Sequence, residues 1–123
     1  MAKTILAIED EQALQKTLED IFRQEGFNFI SALNGETGIR AAKEQSPDLI
    51  LLDLVIPRED GFSVLAELKR DEKTKDIPVI VLTNLEEMKD VQRILELGAT
   101  TYLVKSNYSL EEIVEKTKEI LAQ

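Results

Sequence analysis

The chain has 123 residues, 43% of them hydrophobic, and its 15 basic and 24 acidic side chains give a formal net charge of −9. This acidic surplus argues against a module that binds nucleic acid or an anionic membrane surface, because both need clustered positive charge. The chain contains no cysteine and no histidine, which excludes thiolate chemistry and histidine-dependent catalysis. Any bound metal must be a hard cation held by oxygen ligands.

Short apolar runs alternate with amphipathic stretches from the beginning of the sequence. Residues Thr4 to Ile8 predict a buried strand, and a helical repeat of leucine, isoleucine and phenylalanine then runs to Gly26. Alternating residues from Phe27 to Ala32 predict a strand at a sheet edge. A small-residue helix follows the Asn34-Gly35 turn signal and ends at Ser46-Pro47.

The second half repeats this alternation three more times. Asp48 to Asp53 is the strongest signal for a central strand, because it is apolar on both faces, as parallel strands are. Further strands are predicted at Ile77–Leu82 and Thr101–Val104, with a loop from Pro57 to Gly61. Helices are predicted after the loop and after each of these strands, and Ser109 with Glu112 forms the capping box of the last helix.

Five strand–helix units without a linker predict one α/β domain over residues 1–123. Because crossovers between parallel strands are right-handed, the expected architecture is a parallel sheet with helices on both faces. No apolar run reaches the ~20 residues that a membrane span needs, and the N-terminal apolar run is too short for a signal peptide. The sequence therefore predicts a cytoplasmic protein.

Polar residues follow four of the predicted strands, where ligands bind in parallel sheets. Each one alone is usually a helix cap or a surface residue. Together, however, three carboxylates repel one another, and that cost needs an offset from a cation or from a lysine. The set suits Mg²⁺ or Mn²⁺ beside a carboxylate nucleophile, with a hydroxyl and an ammonium group to contact a phosphoryl group. Its members are Glu9, Asp10, Asp53, Thr83 and Lys105.

With these spacings, the chain resembles the receiver domains of two-component response regulators, a family that includes the single-domain chemotaxis regulator. The resemblance extends over the whole chain and depends on the set of residues rather than on one motif. Asp53 lies 43 residues after Asp10, Thr83 30 residues after Asp53, and Lys105 22 residues after Thr83. The other matching positions are Glu9, Pro57, Gly61 and Tyr102.

The resemblance implies a flavodoxin-like doubly wound fold with strand order 2-1-3-4-5. It implies that Asp53 accepts a phosphoryl group and that Thr83 and Lys105 contact that group. It also implies that Tyr102 changes rotamer as Thr83 moves, reshaping the face formed by the fourth helix, fifth strand and fifth helix. The implied Mg²⁺ ligands are Glu9, Asp10, Asp53 and the backbone carbonyl of Val55.

The implied partners are a sensor histidine kinase or phosphotransfer protein and a downstream protein that the sequence does not identify. The acidic surplus predicts no direct contact with nucleic acid or membrane. The resemblance also implies a monomer or a weak dimer that depends on phosphorylation. The domain would be a signalling phosphoacceptor rather than an enzyme, with slow autodephosphorylation.

The chain departs from the family pattern at three places near the expected site. Ser106 replaces the proline that usually follows the lysine, so a cis bond there would cost ~3–4 kcal/mol. Asn84 replaces a small residue. Val55 and Leu85 are apolar where many relatives carry polar groups that orient a water molecule. These last positions predict slow loss of the phosphoryl group.

Three other functions remain to be weighed. A degenerate receiver-like scaffold would bind partners without phosphorylation, but the complete set of site residues argues against it. A haloacid-dehalogenase-type phosphatase needs a second Asp two residues after the first, where this chain has Val55. A flavodoxin-like electron carrier must bind the FMN phosphate in its first loop, which Glu9-Asp10-Glu11 would repel.

Overall fold

A parallel sheet of five strands lies at the centre of the structure, a computed structural model that describes residues 2–56, 59–83, 88–105 and 108–123, without the side chains of residues 88 and 89. The strands are β1 (Thr4–Ile8), β2 (Asn28–Ala32), β3 (Leu49–Asp53), β4 (Val55–Ile56), β5 (Glu59–Asp60), β6 (Val79–Thr83) and β7 (Thr101–Val104). The helices are α1 (Gln12–Gln24), α2 (Gly35–Gln45), α3 (Gly61–Arg70), α4 (Met88–Glu96) and α5 (Leu110–Leu121). None of the described helices has the length and apolar character that crossing a bilayer requires.

The order of strands in the sheet is β2-β1-β3-β6-β7, and every pairing is parallel. Counting only sheet strands in chain order, this is the predicted order 2-1-3-4-5, which is confirmed. One feature differs from the sequence prediction. The predicted loop from Pro57 to Gly61 contains the strand β5, which forms a short antiparallel pair with β4 in which Val55 faces Asp60.

The helices cover both faces of the sheet, as predicted. On one face, side chains of α2, α3 and α4 pack on residues such as Ile50 and Leu52. On the other face, side chains of α1 and α5 pack on residues such as Leu49 and Leu51. Because all five residues of β3 are buried, its apolar sequence is explained by contact with helices on both sides.

Strand register brings the carboxyl ends of the strands to one edge of the sheet. Ile8, the last residue of β1, is paired with Ala32 on one side and with Leu52 on the other. Asp53 is paired with Leu82 in β6, so Thr83 lies one residue beyond that pair. Thr83 in turn is paired with Val104, the residue before Lys105. The residues that follow β1, β3, β6 and β7 therefore share this edge.

Candidate functional site

Two acidic residues lie in the loop that joins β1 to α1. Glu9 is buried, with 3% of its surface exposed, whereas Asp10 is exposed. The backbone N–H of Glu9 donates to the carbonyl of Ala32 at 3.0 Å, which continues the β1–β2 pairing past the end of the strand. The Glu9 carboxylate accepts a hydrogen bond from the backbone N–H of Glu11 at 3.2 Å. These contacts turn the Glu9 side chain back toward the sheet edge.

Asp53 is the last residue of β3, and only 4% of its surface is exposed. Its Oδ1 accepts a hydrogen bond from the backbone N–H of Val55 at 3.0 Å, which fixes the orientation of the carboxylate. One carboxylate oxygen from each of Glu9, Asp10 and Asp53 lies within 4.8 Å of the others. The structure thus brings together the three acidic side chains that the sequence places after β1 and at the end of β3.

Lys105, directly after β7, bridges two of these acids. Its Nζ donates to Oε2 of Glu9 at 2.8 Å and to Oδ2 of Asp53 at 2.9 Å. Both carboxylates are almost fully buried, so the ammonium group supplies the opposite charge that their burial requires. Glu9, Asp10, Glu11, Asp53, Val55 and Lys105 line one cleft of about 490 Å³.

The site shifts the pKa values of two of its members. Burial raises the pKa of Glu9 from its usual 4.5 to about 7; the hydrogen bond from Lys105 opposes this shift, and the neighbouring Asp53 adds to it. For Lys105, burial alone lowers the pKa, but the hydrogen bonds to Glu9 and Asp53 outweigh burial and raise the pKa above its usual value. Lys105 therefore keeps its ammonium form at neutral pH. For Glu9, burial and the neighbouring Asp53 disfavour the charged carboxylate form.

The acidic cluster has the donor chemistry of a hard-cation site. Three carboxylates that converge within 4.8 Å fit Mg²⁺ or Mn²⁺, which prefer oxygen ligands and are held by few carboxylates together with water. Asp10 is exposed, so the cluster can be reached from solvent. Val55 lines the same cleft, and 59% of the surface of this residue is exposed.

Thr83 and Tyr102 occupy different environments from the acidic cluster. Thr83 is fully buried at the end of β6. Tyr102 is half-buried in β7, is paired with Val81, and packs against the core on the α4 face. Among the described residues, neither side chain lines the acidic cleft. Tyr102 instead lines a cleft of about 370 Å³ together with Tyr108 and Lys116.

Four positions that the sequence comparison with the receiver family singled out lie outside the residues that the structure describes. They are Pro57, Asn84, Leu85 and Ser106. The expectations for the bond between Lys105 and Ser106, and for the side chains beside Thr83, therefore stay predictions.

Two polar residues near the site were not identified from the sequence. The Glu59 carboxylate accepts hydrogen bonds from the backbone N–H groups of Gly35 and Glu36 at the start of α2. The Gln15 amide is buried and donates to backbone carbonyls at the ends of β1 and β2. Gln15 could have been noticed, because it lies on the buried stripe of α1 with Leu18 and Phe22. Nothing in the sequence around Glu59 indicates its partner.

Comparison with known proteins identifies the family. The family model "Response regulator receiver domain" matches residues 5–118. The phosphate regulon transcriptional regulatory protein PhoB of Escherichia coli is 36% identical over 121 residues, which are 98% of this chain and 52% of PhoB. The DNA-binding dual master transcriptional regulator RpaA of Synechocystis is 37% identical over 117 residues, which are 95% of this chain and 48% of RpaA.

Among solved structures, the Mn²⁺-bound form of response regulator Rcp1 is 32% identical, with a TM-score of 0.76 over 96% of this chain and 91% of Rcp1. This chain spans about half the length of the two curated relatives named above. The match to the family model covers nearly all of the sheet and helices. The fold carries two acids after β1, one acid at the end of β3 and a lysine after β7. The chain belongs to the receiver-domain family of two-component response regulators.

Proposed function

We propose that this chain is a single receiver domain over residues 1–123 that accepts a phosphoryl group on Asp53 in a cytoplasmic phosphorelay. The observation that supports this most directly is the environment of the Asp53 carboxylate. It lies at the end of a central strand, its Oδ1 is oriented by the Val55 N–H at 3.0 Å, and its Oδ2 is 2.9 Å from the Lys105 ammonium. A carboxylate held this way can act as a nucleophile beside a group that stabilises charge on the incoming phosphoryl oxygens.

In the proposed reaction, a phosphoryl group moves from a covalent donor to the carboxylate of Asp53. A carboxylate oxygen of Asp53 attacks the phosphorus atom, and the bond from phosphorus to the leaving atom of the donor breaks. With a phosphohistidine donor, the imidazole nitrogen leaves with the electron pair; with acetyl phosphate, the carboxylate oxygen of acetate leaves. Lys105 opposes the negative charge that spreads over the phosphoryl oxygens, and this charge stabilisation is a principal requirement of phosphoryl transfer.

We propose that Glu9, Asp10 and Asp53 hold Mg²⁺ or Mn²⁺, with the backbone carbonyl of Val55 as a further ligand. The spacing of the three carboxylates within 4.8 Å supports this assignment. When bound, the cation would neutralise charge on the acids and on the phosphoryl oxygens. The solved structure of the related Rcp1 is described as a Mn²⁺-bound form, which supports a divalent cation in this family.

Thr83 and Tyr102 are proposed to transmit the modification to the face formed by α4, β7 and α5. Thr83 is paired with Val104, which precedes Lys105, so a change at the phosphoryl site has a short path to β7. Tyr102 lies two residues earlier in the same strand and is half-buried. A rotamer change of Tyr102 would alter the surface that a downstream protein meets.

The proposed partners are a sensor histidine kinase or phosphotransfer protein and a downstream protein, with the domain a monomer or a weak dimer that depends on phosphorylation. PhoB and RpaA are transcriptional regulators by name, but this chain spans about half of each. The net charge of −9 supports contacts of this domain with proteins rather than with nucleic acid. The domain itself is proposed to be a phosphoacceptor with slow autodephosphorylation, not an enzyme acting on other substrates.

The test is phosphorylation by a small donor. Acetyl phosphate or phosphoramidate with Mg²⁺ should add the mass of one phosphoryl group to the wild type, and Asp53→Asn should abolish the addition. Asp60→Asn is the matched control, because Asp60 is an exposed acid near the site that caps α3 and asparagine preserves that cap.

A modification that persists in Asp53→Asn would place the acceptor on another residue. A wild type that gains no phosphoryl group and does not respond to beryllium fluoride with Mg²⁺ would support the degenerate scaffold instead.

A further inference from the structure

Gln15 is a polar side chain buried in the first half of α1, with 4% of its surface exposed. Its amide nitrogen lies 2.9 Å from the carbonyl oxygen of Ala7, 3.1 Å from that of Glu9 and 3.0 Å from that of Ala32. These carbonyls belong to the end of β1, the loop that follows it, and the end of β2. One side-chain amide therefore connects α1 to both strands at the edge where the acidic cluster lies.

Gln15 contacts the backbone carbonyl of Glu9, and the side chain of Glu9 belongs to the acidic cluster. The Glu9 N–H already donates to Ala32, and Gln15 donates to the Glu9 carbonyl and to the same Ala32 carbonyl. Both peptide groups of Glu9 are thus fixed relative to β2. Without the amide, the Glu9 carbonyl would lose its buried donor, and the loop would have to move to find water.

The oxygen atom of the Gln15 amide differs from the nitrogen in its hydrogen bonding. Its Oε1 is buried and has no hydrogen-bond partner within the part of the chain that the structure describes. A buried polar atom without a partner is unfavourable, so the contacts of the Gln15 nitrogen must offset that cost. Glutamine at this position is therefore explained by the two N–H groups that its nitrogen shares among the three carbonyls, and not by its oxygen.

We propose that Gln15 is a positioning residue for the cation site. Its amide holds the Glu9 backbone so that the Glu9 and Asp10 carboxylates converge on Asp53. This inference rests on the proposed function, because it assumes that the acidic cluster binds a divalent cation. Gln15 acts through the backbone and is not itself a ligand. Residues that support metal ligands in this indirect way typically change metal affinity 10–100-fold when they are replaced.

The experiment measures Mg²⁺ affinity by isothermal titration calorimetry for four proteins. They are the wild type, Gln15→Met, Gln15→Lys and Thr74→Val. Gln15→Met keeps the volume and removes the donor, and we expect its Mg²⁺ dissociation constant to rise about tenfold or more. Thr74→Val is the matched control, because Thr74 is buried and donates to the Leu68 carbonyl at 2.6 Å near the opposite end of the sheet. Its Mg²⁺ affinity should equal that of the wild type.

A second measurement does not depend on metal. Hydrogen exchange of the Glu9 backbone amide in EDTA should be faster in Gln15→Met than in the wild type. It should be slow again in Gln15→Lys, whose ammonium can donate to the same three carbonyls. Phosphorylation of Gln15→Met should need more Mg²⁺ for half-maximal rate while reaching the wild-type rate at saturation. If Gln15→Met does not fold, Gln15→Asn replaces it, because its amide is one methylene too short to reach the carbonyls.

The outcomes separate this inference from the function on which it rests. If the wild type binds Mg²⁺ and is phosphorylated, but Gln15→Met changes neither Mg²⁺ affinity nor exchange at Glu9, Gln15 has no positioning role. Equal losses of Mg²⁺ affinity in Gln15→Met and Thr74→Val would also overturn the inference, because they would reflect general destabilisation. A wild type that binds no Mg²⁺ overturns the proposed function.

Discussion

The buried carboxyl group of Glu9 should make the stability of the metal-free protein depend on pH between 4.5 and 7. Its pKa in the folded protein is about 7, against a usual 4.5, mainly because burial penalises the charged form. The folded state therefore keeps the proton on Glu9 over a range in which the unfolded chain has already lost it. By linkage, the contribution of Glu9 to the free energy of unfolding is full below pH 4.5 and declines as pH rises to 7.

The size of this change in the free energy of unfolding follows from the pKa shift of Glu9. One pKa unit corresponds to about 1.4 kcal/mol, so the interval from 4.5 to about 7 amounts to roughly 3 kcal/mol. Glu9→Gln has similar shape and no ionisation, so it lacks this decline. We expect the wild type to lose up to about 3 kcal/mol relative to Glu9→Gln between pH 5 and pH 8. Charged groups remote from Glu9 are common to both proteins, so their contributions cancel in the difference.

The assay is urea denaturation of both proteins in EDTA at pH 5, 6, 7 and 8. Glu11→Gln, which changes an exposed acid two residues away, controls for the loss of one negative charge. Its difference from the wild type should vary much less with pH. A difference between wild type and Glu9→Gln that stays constant over this range would refute the reasoning, because Glu9 would then titrate equally in the folded and unfolded states.

Two further predictions concern the cation and the lifetime of the modification. Millimolar Mg²⁺ should raise the melting temperature of the wild type more than that of Asp10→Asn, because a ligand that binds the folded state stabilises it by mass action. Equal shifts in melting temperature would mean that the acidic cluster does not bind the ion. After the phosphodonor is removed, the wild type should lose its phosphoryl group more slowly than a Val55→Asn, Leu85→Glu double variant, because apolar side chains do not orient an attacking water. Decay in the wild type as fast as in the double variant would contradict this.

The sequence predicts the sheet well because its signals are local. The run from Asp48 to Asp53 is apolar at consecutive positions, and β3 is indeed buried on both faces. Glu9, Asp10, Asp53 and Lys105 converge because the carboxyl ends of parallel strands share one edge, which follows from topology alone. The strand order itself came from the family resemblance, since no local pattern specifies which strands are neighbours.

The rest depends on contacts that no local pattern encodes. Glu59 meets the start of α2 across 24 residues of sequence, and Gln15 meets Ala32 across 17. The strands β4 and β5 have two residues each, too few to show a period of two. The raised pKa of Glu9 likewise results from burial by the folded chain rather than from its acidic neighbours in sequence.

The bridge from Lys105 to Glu9 and Asp53 has a consequence for the order in which the protein is made. During synthesis, Glu9, Asp10 and Asp53 leave the ribosome well before Lys105, and β1, β2 and β3 are adjacent strands that can pair as soon as they emerge. A nascent chain that forms these three strands would bring three carboxylates together before Lys105, the partner of Glu9 and Asp53, has been made. The mutual repulsion of these carboxylates would oppose closing of this edge of the sheet until Lys105 offsets it.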